Sequence, residues 1–132
     1  MRGLRLFVRP TEPSDHGDLS AFFERHGQEN NESGLSHPES VTACGLLGKL
    51  LGEIVAVAGL EITSDSLRVR ELLVARELRR KWIGKVMMRE IEQLAMKMDR
   101  RRLVVDDARG AQEFLRRVGF VEEGERWVRV VR

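Results

Sequence analysis

The chain has 132 residues, of which 42% are hydrophobic and 33% charged, so we expect a single folded domain over residues 1–132 rather than a disordered chain. It contains no apolar run of the roughly 18–20 residues that a membrane helix needs, no signal-peptide pattern at its start and one cysteine, which predicts a soluble cytoplasmic protein without disulfides. The net charge of +2 divides into −5 over residues 1–66 and +7 over residues 67–132, and such a basic half attracts the phosphates of a nucleic acid or of a nucleotide-like cofactor.

The first 40 residues predict a strand, a helix and a loop. Alternating apolar residues indicate a strand over Leu4–Val8. Ser14 or Asp15 can then cap a short helix, because their side-chain oxygens accept from the free N–H groups of a first turn. The apolar face of this helix comprises Leu19, Phe22 and Phe23. Residues 27–40 are polar and rich in Gly, Asn and Ser, which favours an exposed loop.

A three-stranded meander is predicted next. Cys44–Leu50 is expected to pair with Ile54–Ile62 across a turn at Gly52-Glu53. A second turn at residues 64–66 leads into a third strand over Leu67–Ala75.

The second half alternates helices with strands. Apolar residues at a three-four spacing predict an amphipathic helix over residues 83–98, followed by a short strand, Leu103–Val105. Asp106 or Asp107 is expected to cap a further helix that ends at Gly119, where a glycine stop is typical. The apolar face of that helix comprises Ala111, Phe114, Leu115 and Val118. The chain closes with strands over Val121–Glu123 and Trp127–Val131 around a turn at Gly124.

The order β-α-β-β-β-α-β-α-β-β predicts an α/β (α+β) fold, in which helices flank a mixed central sheet. The strand at 67–75 and the strand at 103–105 should be parallel, since a helix connects them in a right-handed crossover. This places the basic segment 76–85 between the carboxyl end of a strand and the first turn of a helix. Free backbone N–H groups and the helix dipole make such a junction a site for anions.

At this junction the sequence resembles the GNAT superfamily of N-acetyltransferases. The superfamily's motif for binding acetyl-CoA is Arg/Gln-x-x-Gly-x-Gly/Ala, and residues 79–84 match it at Arg79 and Gly84, while Trp82 stands at the first glycine. A second signature, an alanine, an aromatic pair and then Gly-Phe, is matched by Ala111, Phe114, Leu115, Gly119 and Phe120. The likeness runs from residue 4 to about residue 130 and implies a GNAT-like mixed sheet.

The resemblance implies transfer of an acetyl group from acetyl-CoA to an amine of a small molecule, without a metal. The cofactor-binding residues that it implies are Leu73, Val74, Arg79, Arg80, Lys81, Trp82, Ile83, Gly84, Lys85 and Phe114. The chemistry of these residues supports the same site, because pyrophosphate binding needs converging N–H groups, nearby cations and close approach of the main chain. Trp82 is unfavourable if its position needs a left-handed backbone, and its ring could crowd the phosphates. The alternative is a solvated basic helix start that binds nothing.

Glu71 is the candidate general base. An amine with a pKa near 10 is mostly protonated at pH 7 and must lose a proton before it can attack. By strand alternation Glu71 is expected to share a face with Leu67, Val69 and Leu73. A structural ion pair with Arg68 or Arg70 is the alternative role for this carboxylate.

No general acid is evident, because the chain contains no tyrosine and Leu115 stands where many members of the superfamily have one. A thiolate with a pKa near 8.5 can leave without help. Backbone N–H groups near Leu73 or Val74 would then polarise the thioester carbonyl.

Two further functions stay open. One is a catalytically silent module that binds CoA or a protein partner. The other is nucleic-acid binding through the basic clusters, which no interleaved aromatic residues accompany. His26 and His37 are expected at the surface, and the irregular spacing of the histidines speaks against a metal site. The acceptor amine and the oligomeric state, a homodimer included, cannot be read from the sequence.

Overall fold

A computed structural model describes residues 5–26, 38–79, 82–106 and 111–131, with the backbone alone for residues 38–40. A seven-stranded mixed sheet runs in the order β1-β2-β3-β4-β5-β7-β6. The pair β4 and β5 is parallel, and every other neighbouring pair is antiparallel. The strands are β1 Phe7–Pro10, β2 Gly45–Leu50, β3 Glu53–Ile62, β4 Ser66–Val74, β5 Arg102–Val105, β6 Val121–Glu123 and β7 Arg126–Val130.

Two pairs of helices cover the sheet, one pair on each face. The helices are α1 His16–His26, α2 Pro38–Ala43, α3 Ile83–Lys97 and α4 Gln112–Arg117, and single 3-10 turns lie at Pro13–Asp15 and Arg76–Leu78. The cluster under α1 and α2 consists of Leu19, Phe22, Phe23, Val41, Leu47, Val57, Leu73 and Ala75. The larger cluster under α3 and α4 includes Ala56, Ala58, Leu67, Val69, Ile83, Met87, Ile91, Leu103, Leu115 and Trp127. Helix α3 therefore buries the apolar face that its three-four spacing predicts.

The predicted architecture is confirmed, with most strands shifted by one residue at their ends and the first strand shifted further. The first strand lies later than predicted, at Phe7–Pro10 instead of Leu4–Val8, and Leu4 is outside the described residues. The β2–β3 turn lies one residue earlier, at Leu51-Gly52, with φ of 53° and 85°. Two consecutive residues with positive φ match the twist of a tight hairpin, which explains why the glycine takes the second turn position.

The prediction of a loop over residues 27–40 is wrong for its last three residues. Residues 38–40 form the first turn of α2, whereas residues 27–37, including His37, lie outside the described part of the chain. Pro38 opens the helix, where a missing N–H and a fixed φ are favourable. This proline was a usable signal that the polar composition of the segment concealed.

The predicted aspartate caps are wrong in position. The helical segment that runs into α1 has Glu12 at its cap, and Asp15 completes a capping box by accepting from the Glu12 N–H. Helix α4 has Ala111 at its cap position instead of Asp106 or Asp107.

Asp15 lies in the 3-10 turn before α1, is 6% exposed, and accepts from the Arg9 guanidinium at 2.8 and 2.9 Å and from the N–H of Glu12 at 2.8 Å. The Arg9 hydrogen bonds hold the pKa of Asp15 below its ordinary value. Asp106 pairs with Arg68 at 2.7 Å, and Asp107 lies outside the described residues.

Candidate functional site

The parallel strands β4 and β5 part from one another after three residues. Ser66, Leu67 and Arg68 pair with residues 102–104 of β5, whereas β4 continues to Val74 without a described partner on that side. Arg68 and Asp106 form an ion pair where the two strands diverge, with 2.7 Å between Nη1 and Oδ2. A cleft therefore opens between the carboxyl ends of two parallel strands, which is the usual place for a ligand in such sheets.

A bulge at Arg70 reverses the faces of β4. Gly59 of β3 lies opposite Glu71, and the next residue, Leu60, lies opposite Val69, so Arg70 is an extra residue on β4. Leu67 and Val69 consequently lie in the α3–α4 core, whereas Leu73 lies in the α1–α2 core. The expectation that Glu71 shares a face with all three residues is wrong, because simple alternation does not continue through a bulge.

Glu71 faces the α1–α2 side of the sheet. Its Cβ lies 3.4 Å from the position that a Cβ on Gly59 would take, and Val41 of α2 borders the same point. The side chain is half-buried and has an interaction partner of its own. Arg68, one of the two predicted ion-pair partners, binds Asp106 instead. Glu71 thus packs beside a glycine, where a larger residue would press on the Glu71 Cβ and on Val41.

Val74, and not Leu73, directs its backbone N–H into the cleft. The N–H of Ala75 donates to the carbonyl of Val55 on β3 at 2.8 Å. Hydrogen-bonded and outward-facing pairs alternate along an antiparallel ladder, so Leu73 faces β3 while Leu72 and Val74 face the parting from β5. The Leu73 side chain is 2% exposed and belongs to the core.

Arg79 folds back onto the end of β4. Its Nε donates to the carbonyl of Val74 and its Nη2 to the carbonyl of His26, both at 3.0 Å. The guanidinium thereby joins the strand, the loop after it and the end of α1. Arg80 and Lys81, the next two predicted cofactor-binding residues, lie outside the described part of the chain.

Trp82 takes the residue position before the first turn of α3 without backbone strain. Its φ of −80° and ψ of −10° are right-handed, so the anticipated left-handed penalty does not arise. The side chain is 42% exposed and makes no hydrogen bond that caps the helix. As groups of a first helical turn, the N–H groups of Ile83, Gly84 and Lys85 have no acceptor within α3, which makes them suitable donors to a ligand or to water. The Ile83 side chain is buried in the core at 1% exposure.

Gly84 is needed for the contact between α3 and α4. A Cβ on Gly84 would lie 3.3 Å from Cε1 and 3.4 Å from Cζ of Phe114. The predicted cofactor-binding residue Phe114 therefore packs its ring over the first turn of α3. This contact brings the amino ends of both helices together at the mouth of the cleft.

A basic groove continues from Lys85 along the outer side of α3. It has a volume of about 430 Å³, and Arg89 of α3, Arg117 at the end of α4 and Arg129 of β7 also line it. Glu92 neutralises Arg129 at 2.5 Å, and Arg129 also donates to the carbonyl of Val118. The other cations give the groove a positive potential next to the first turn of α3.

His26 is a residue of this region that the sequence did not single out. It was expected at the surface but is 5% exposed, and its Nδ1 accepts from the N–H of Arg76 at 3.1 Å. Its position as the last residue of a helix with an apolar face was the only available signal. Among residues 5–26, 38–79, 82–106 and 111–131, no three His, Cys, Asp or Glu side chains are grouped as metal ligands would be.

The family is established by comparison with known proteins. The model of the acetyltransferase (GNAT) family matches residues 5–120, and the chain belongs to that family. A comparison with curated proteins finds no match. None of the helices in the described part of the chain is both long and apolar enough to cross a membrane.

Solved structures share the fold at low sequence identity. The N-acetylglutamate synthase of Neisseria gonorrhoeae, complexed with coenzyme A and N-acetyl-glutamate, superposes with a TM-score of 0.78 at 16% identity over 97% of this chain, which spans only 35% of that one. The PaiA N-acetyltransferase of Thermoplasma acidophilum, with coenzyme A, has a TM-score of 0.77 at 16% identity, covering 94% of this chain and 96% of its own. A GNAT family acetyltransferase of Brucella melitensis, with acetyl-CoA, has a TM-score of 0.76 at 16% identity, covering 96% and 88%.

Proposed function

We propose that the protein transfers the acetyl group of acetyl-CoA to the amine of a small molecule. The observation that carries the proposal is the cleft between β4 and β5, which has the outward N–H of Val74 on one side and the uncapped first turn of α3 at its mouth. Relatives of the same fold hold CoA or acetyl-CoA, and the family is one of acetyltransferases. A backbone N–H and a helix start suit a thioester carbonyl and a pyrophosphate respectively.

Each end of the cofactor then has a place in the cleft. The pyrophosphate meets the N–H groups of residues 83–85, with positive charge from Arg80, Lys81 and Lys85. The acetyl group reaches β4, where the Val74 N–H polarises its carbonyl. Arg79 acts through the main chain, since its guanidinium holds the carbonyl of Val74 and so fixes that residue.

The chemistry needs one proton transfer before attack. Glu71 accepts a proton from the ammonium group of the acceptor, directly or through water, and the freed nitrogen lone pair attacks the thioester carbon. The carbon–sulfur bond then breaks, the electron pair leaves with the CoA thiolate, and the second proton of the attacking nitrogen passes through water to that thiolate. The chain has no tyrosine to relay that proton, and Leu115 is buried in the core at 3% exposure.

The buried Leu115 favours a second candidate function, a catalytically silent module that binds CoA or a protein partner. Such a module would keep the cleft and the uncapped helix start but would not turn over. Binding and turnover separate the transferase from a CoA-binding module, because both require cofactor binding and only the transferase releases CoA.

The test is a titration followed by an assay. Acetyl-CoA at 100 times its Kd adds about 2.7 kcal/mol to the free energy of unfolding, and so we expect a clear rise in Tm together with calorimetric heat. A panel of amines is then screened for release of CoA thiol, with mass spectrometry of the acetylated product. Binding without release on every amine would favour the silent module. Absence of binding at millimolar acetyl-CoA would overturn both the transferase and the CoA-binding module.

A further inference from the structure

His26 joins the end of α1 to the segment that leads from β4 to α3. Its buried imidazole accepts the Arg76 N–H at 3.1 Å, and its carbonyl accepts from Nη2 of Arg79 at 3.0 Å. Arg79 in turn donates from Nε to the carbonyl of Val74. His26 is therefore hydrogen-bonded to the main chain of Arg76, where the 3-10 turn begins, and to the side chain of Arg79, which follows that turn.

These contacts also satisfy the end of α1. The last carbonyls of a helix have no partner within it, and a cation near them is favourable because of the helix dipole. The Arg79 guanidinium provides both the hydrogen bond and the charge at His26. The His26 ring packs on Phe22, one turn earlier, with 4.7 Å between the ring centroids, so the imidazole cannot turn away without losing that contact.

The tie at Nδ1 requires a neutral ring. A nitrogen that accepts a hydrogen bond carries no proton, so the ring proton must be on Nε2. Burial lowers the pKa of His26, the charges of Arg25, Arg79 and Arg76 lower it further, and Glu77, with Oε1 3.9 Å from Nδ1, partly opposes them. The other charged groups around the ring line a cavity of about 270 Å³ between α1 and the β2–β3 turn: Asp18, Lys49 and Glu53.

We propose that His26 is a positioning residue: its neutral ring holds residues 76–79, which follow β4, in the position that they have in this structure, and protonation releases them. The effect on the cofactor rests on the proposed function, whereas the tie itself does not. Residues 76–79 follow Val74, which would polarise the thioester, and Arg79 also binds the carbonyl of Val74. Loosening them therefore weakens the hold on the acetyl end of the cofactor.

The sign of the pH dependence follows from the direction of the pKa shift. A histidine whose pKa is lowered in the folded protein stabilises the fold fully above its ordinary value near 6.5, and this stabilisation is lost as the pH falls through the lowered pKa. The hydrogen bond from the Arg76 N–H to Nδ1 of His26 should likewise be intact at higher pH and be lost as the pH falls through the lowered pKa. A purely electrostatic role gives the opposite sign, because an added positive charge near residues 76–79 would strengthen the binding of an anion.

The first arm of the test uses the protein without cofactor. In His26→Asn the amide oxygen replaces Nδ1 as acceptor and does not titrate, whereas in His26→Gln the amide lies one bond further out and misses the Arg76 N–H. We expect hydrogen exchange at the Arg76 amide at pH 7.5 to be similar in the wild type and His26→Asn, and at least tenfold faster in His26→Gln. Equal protection in all three proteins would overturn the tie.

The second arm measures the Kd for acetyl-CoA from pH 7.5 down to a pH below the lowered pKa of His26. Since the phosphates of CoA titrate equally in every variant, the comparison is between the wild type and His26→Asn. We expect the wild type to lose at least fivefold more affinity on acidification than His26→Asn, with His16→Asn behaving as the wild type. Tighter binding in acid that depends on His26 would overturn the proposal, as would identical profiles.

The two arms separate the inference from the proposed function. If the wild type shows the expected exchange pattern and binds no acetyl-CoA, the proposed function fails and the tie stands. If His26→Gln does not fold, the comparison of the wild type with His26→Asn still decides the matter, because that variant keeps the acceptor and removes only the titration.

Discussion

Glu71 is the only carboxylate on β4, and the bulge at Arg70 determines which way it points. Without the extra residue, Glu71 would lie over the apolar α3–α4 core together with Val69. The bulge instead turns it to the side of α1 and α2, next to the space above Gly59. An irregularity of one residue thus separates the carboxylate from the larger core and places it on the face opposite α3.

We expect Glu71→Gln to leave the affinity for acetyl-CoA nearly unchanged and to reduce turnover at neutral pH by roughly 100-fold, because the amide cannot accept the proton of the acceptor. The loss should shrink as the pH approaches the pKa of the amine. Steady-state kinetics from pH 7 to pH 10 measures both effects. Glu122→Gln, at an exposed position of β6, is the matched control. Equal kcat of Glu71→Gln and the wild type would assign Glu71 a structural role.

Trp82 lies beside the amides of the first turn of α3, and its effect on the cofactor comes from the side chain alone. Its backbone is right-handed, which alanine adopts as readily as tryptophan. If the indole obstructs the approach of phosphate, Trp82→Ala and Trp82→Gly should both bind CoA several-fold more tightly, and to the same extent. Calorimetric titration measures this. Weaker binding by both variants would show that the ring packs on the cofactor.

At the scale of the elements, α3 and α4 meet where a glycine faces a phenylalanine. Gly84 and Gly17 each occupy the second position of a helix, but a Cβ on Gly17 would meet nothing within 4 Å, whereas one on Gly84 would press on Phe114. The same substitution therefore tests helix propensity at one site and helix packing at the other.

Gly17→Ala should gain up to about 1 kcal/mol in free energy of unfolding, the difference in helix propensity between the two residues. Gly84→Ala should gain less, because the Phe114 ring must move by a few tenths of an ångström. When Gly84→Ala is combined with Phe114→Leu, its gain in free energy of unfolding should reach that of Gly17→Ala. This gives a coupling energy of at least about 0.5 kcal/mol between positions 84 and 114. Urea denaturation of the four proteins of the double-mutant cycle measures this coupling. Strict additivity would mean that the ring accommodates the methyl group freely.

The sequence predicted those elements whose signal is repeated along the chain. Helix α3 and the strands β3 and β4 extend over 9 to 15 residues, and their periodicity leaves little choice. Helix α2 has six residues, too few for a period to be visible among polar neighbours. The bulge at Arg70 depends on the pairing with β3, which no local pattern on β4 records.

Within the candidate site, too, only residues with a local sequence signal could be predicted. Gly84 and Phe114 were singled out in the sequence through a motif, and Glu71 was singled out through its place on a strand. The contacts of His26 with Arg76 and Arg79 join residues that are 50 and 53 positions apart, and such pairs have no signature in a single sequence. The role of Asp15 was misread for a related reason, because a cap and a buried ion pair use the same residue type.

At the scale of the whole molecule, Asp15 links the pH dependence of stability to the first strand. Because Arg9 lowers its pKa, Asp15 stabilises the fold fully above about pH 4, and this contribution is lost as the pH falls through the lowered pKa. Asp15→Asn should therefore lower the free energy of unfolding by about 1–3 kcal/mol at pH 7, and the deficit should narrow in acid. Urea denaturation at several pH values measures it, with the exposed Asp18→Asn as control. A deficit independent of pH would mean that packing, and not charge, is responsible.

The separation of the two cores has a consequence for how such a molecule can diversify. No fully buried residue in the described part of the chain belongs to both clusters, since the sheet stands between them. On the proposed function, substitutions in the α1–α2 layer, to which Glu71 also faces, would reshape the side of the site that meets the acceptor without repacking α3 and α4. A library confined to that layer would then sample new acceptors while each member kept the same proposed acetyl donor.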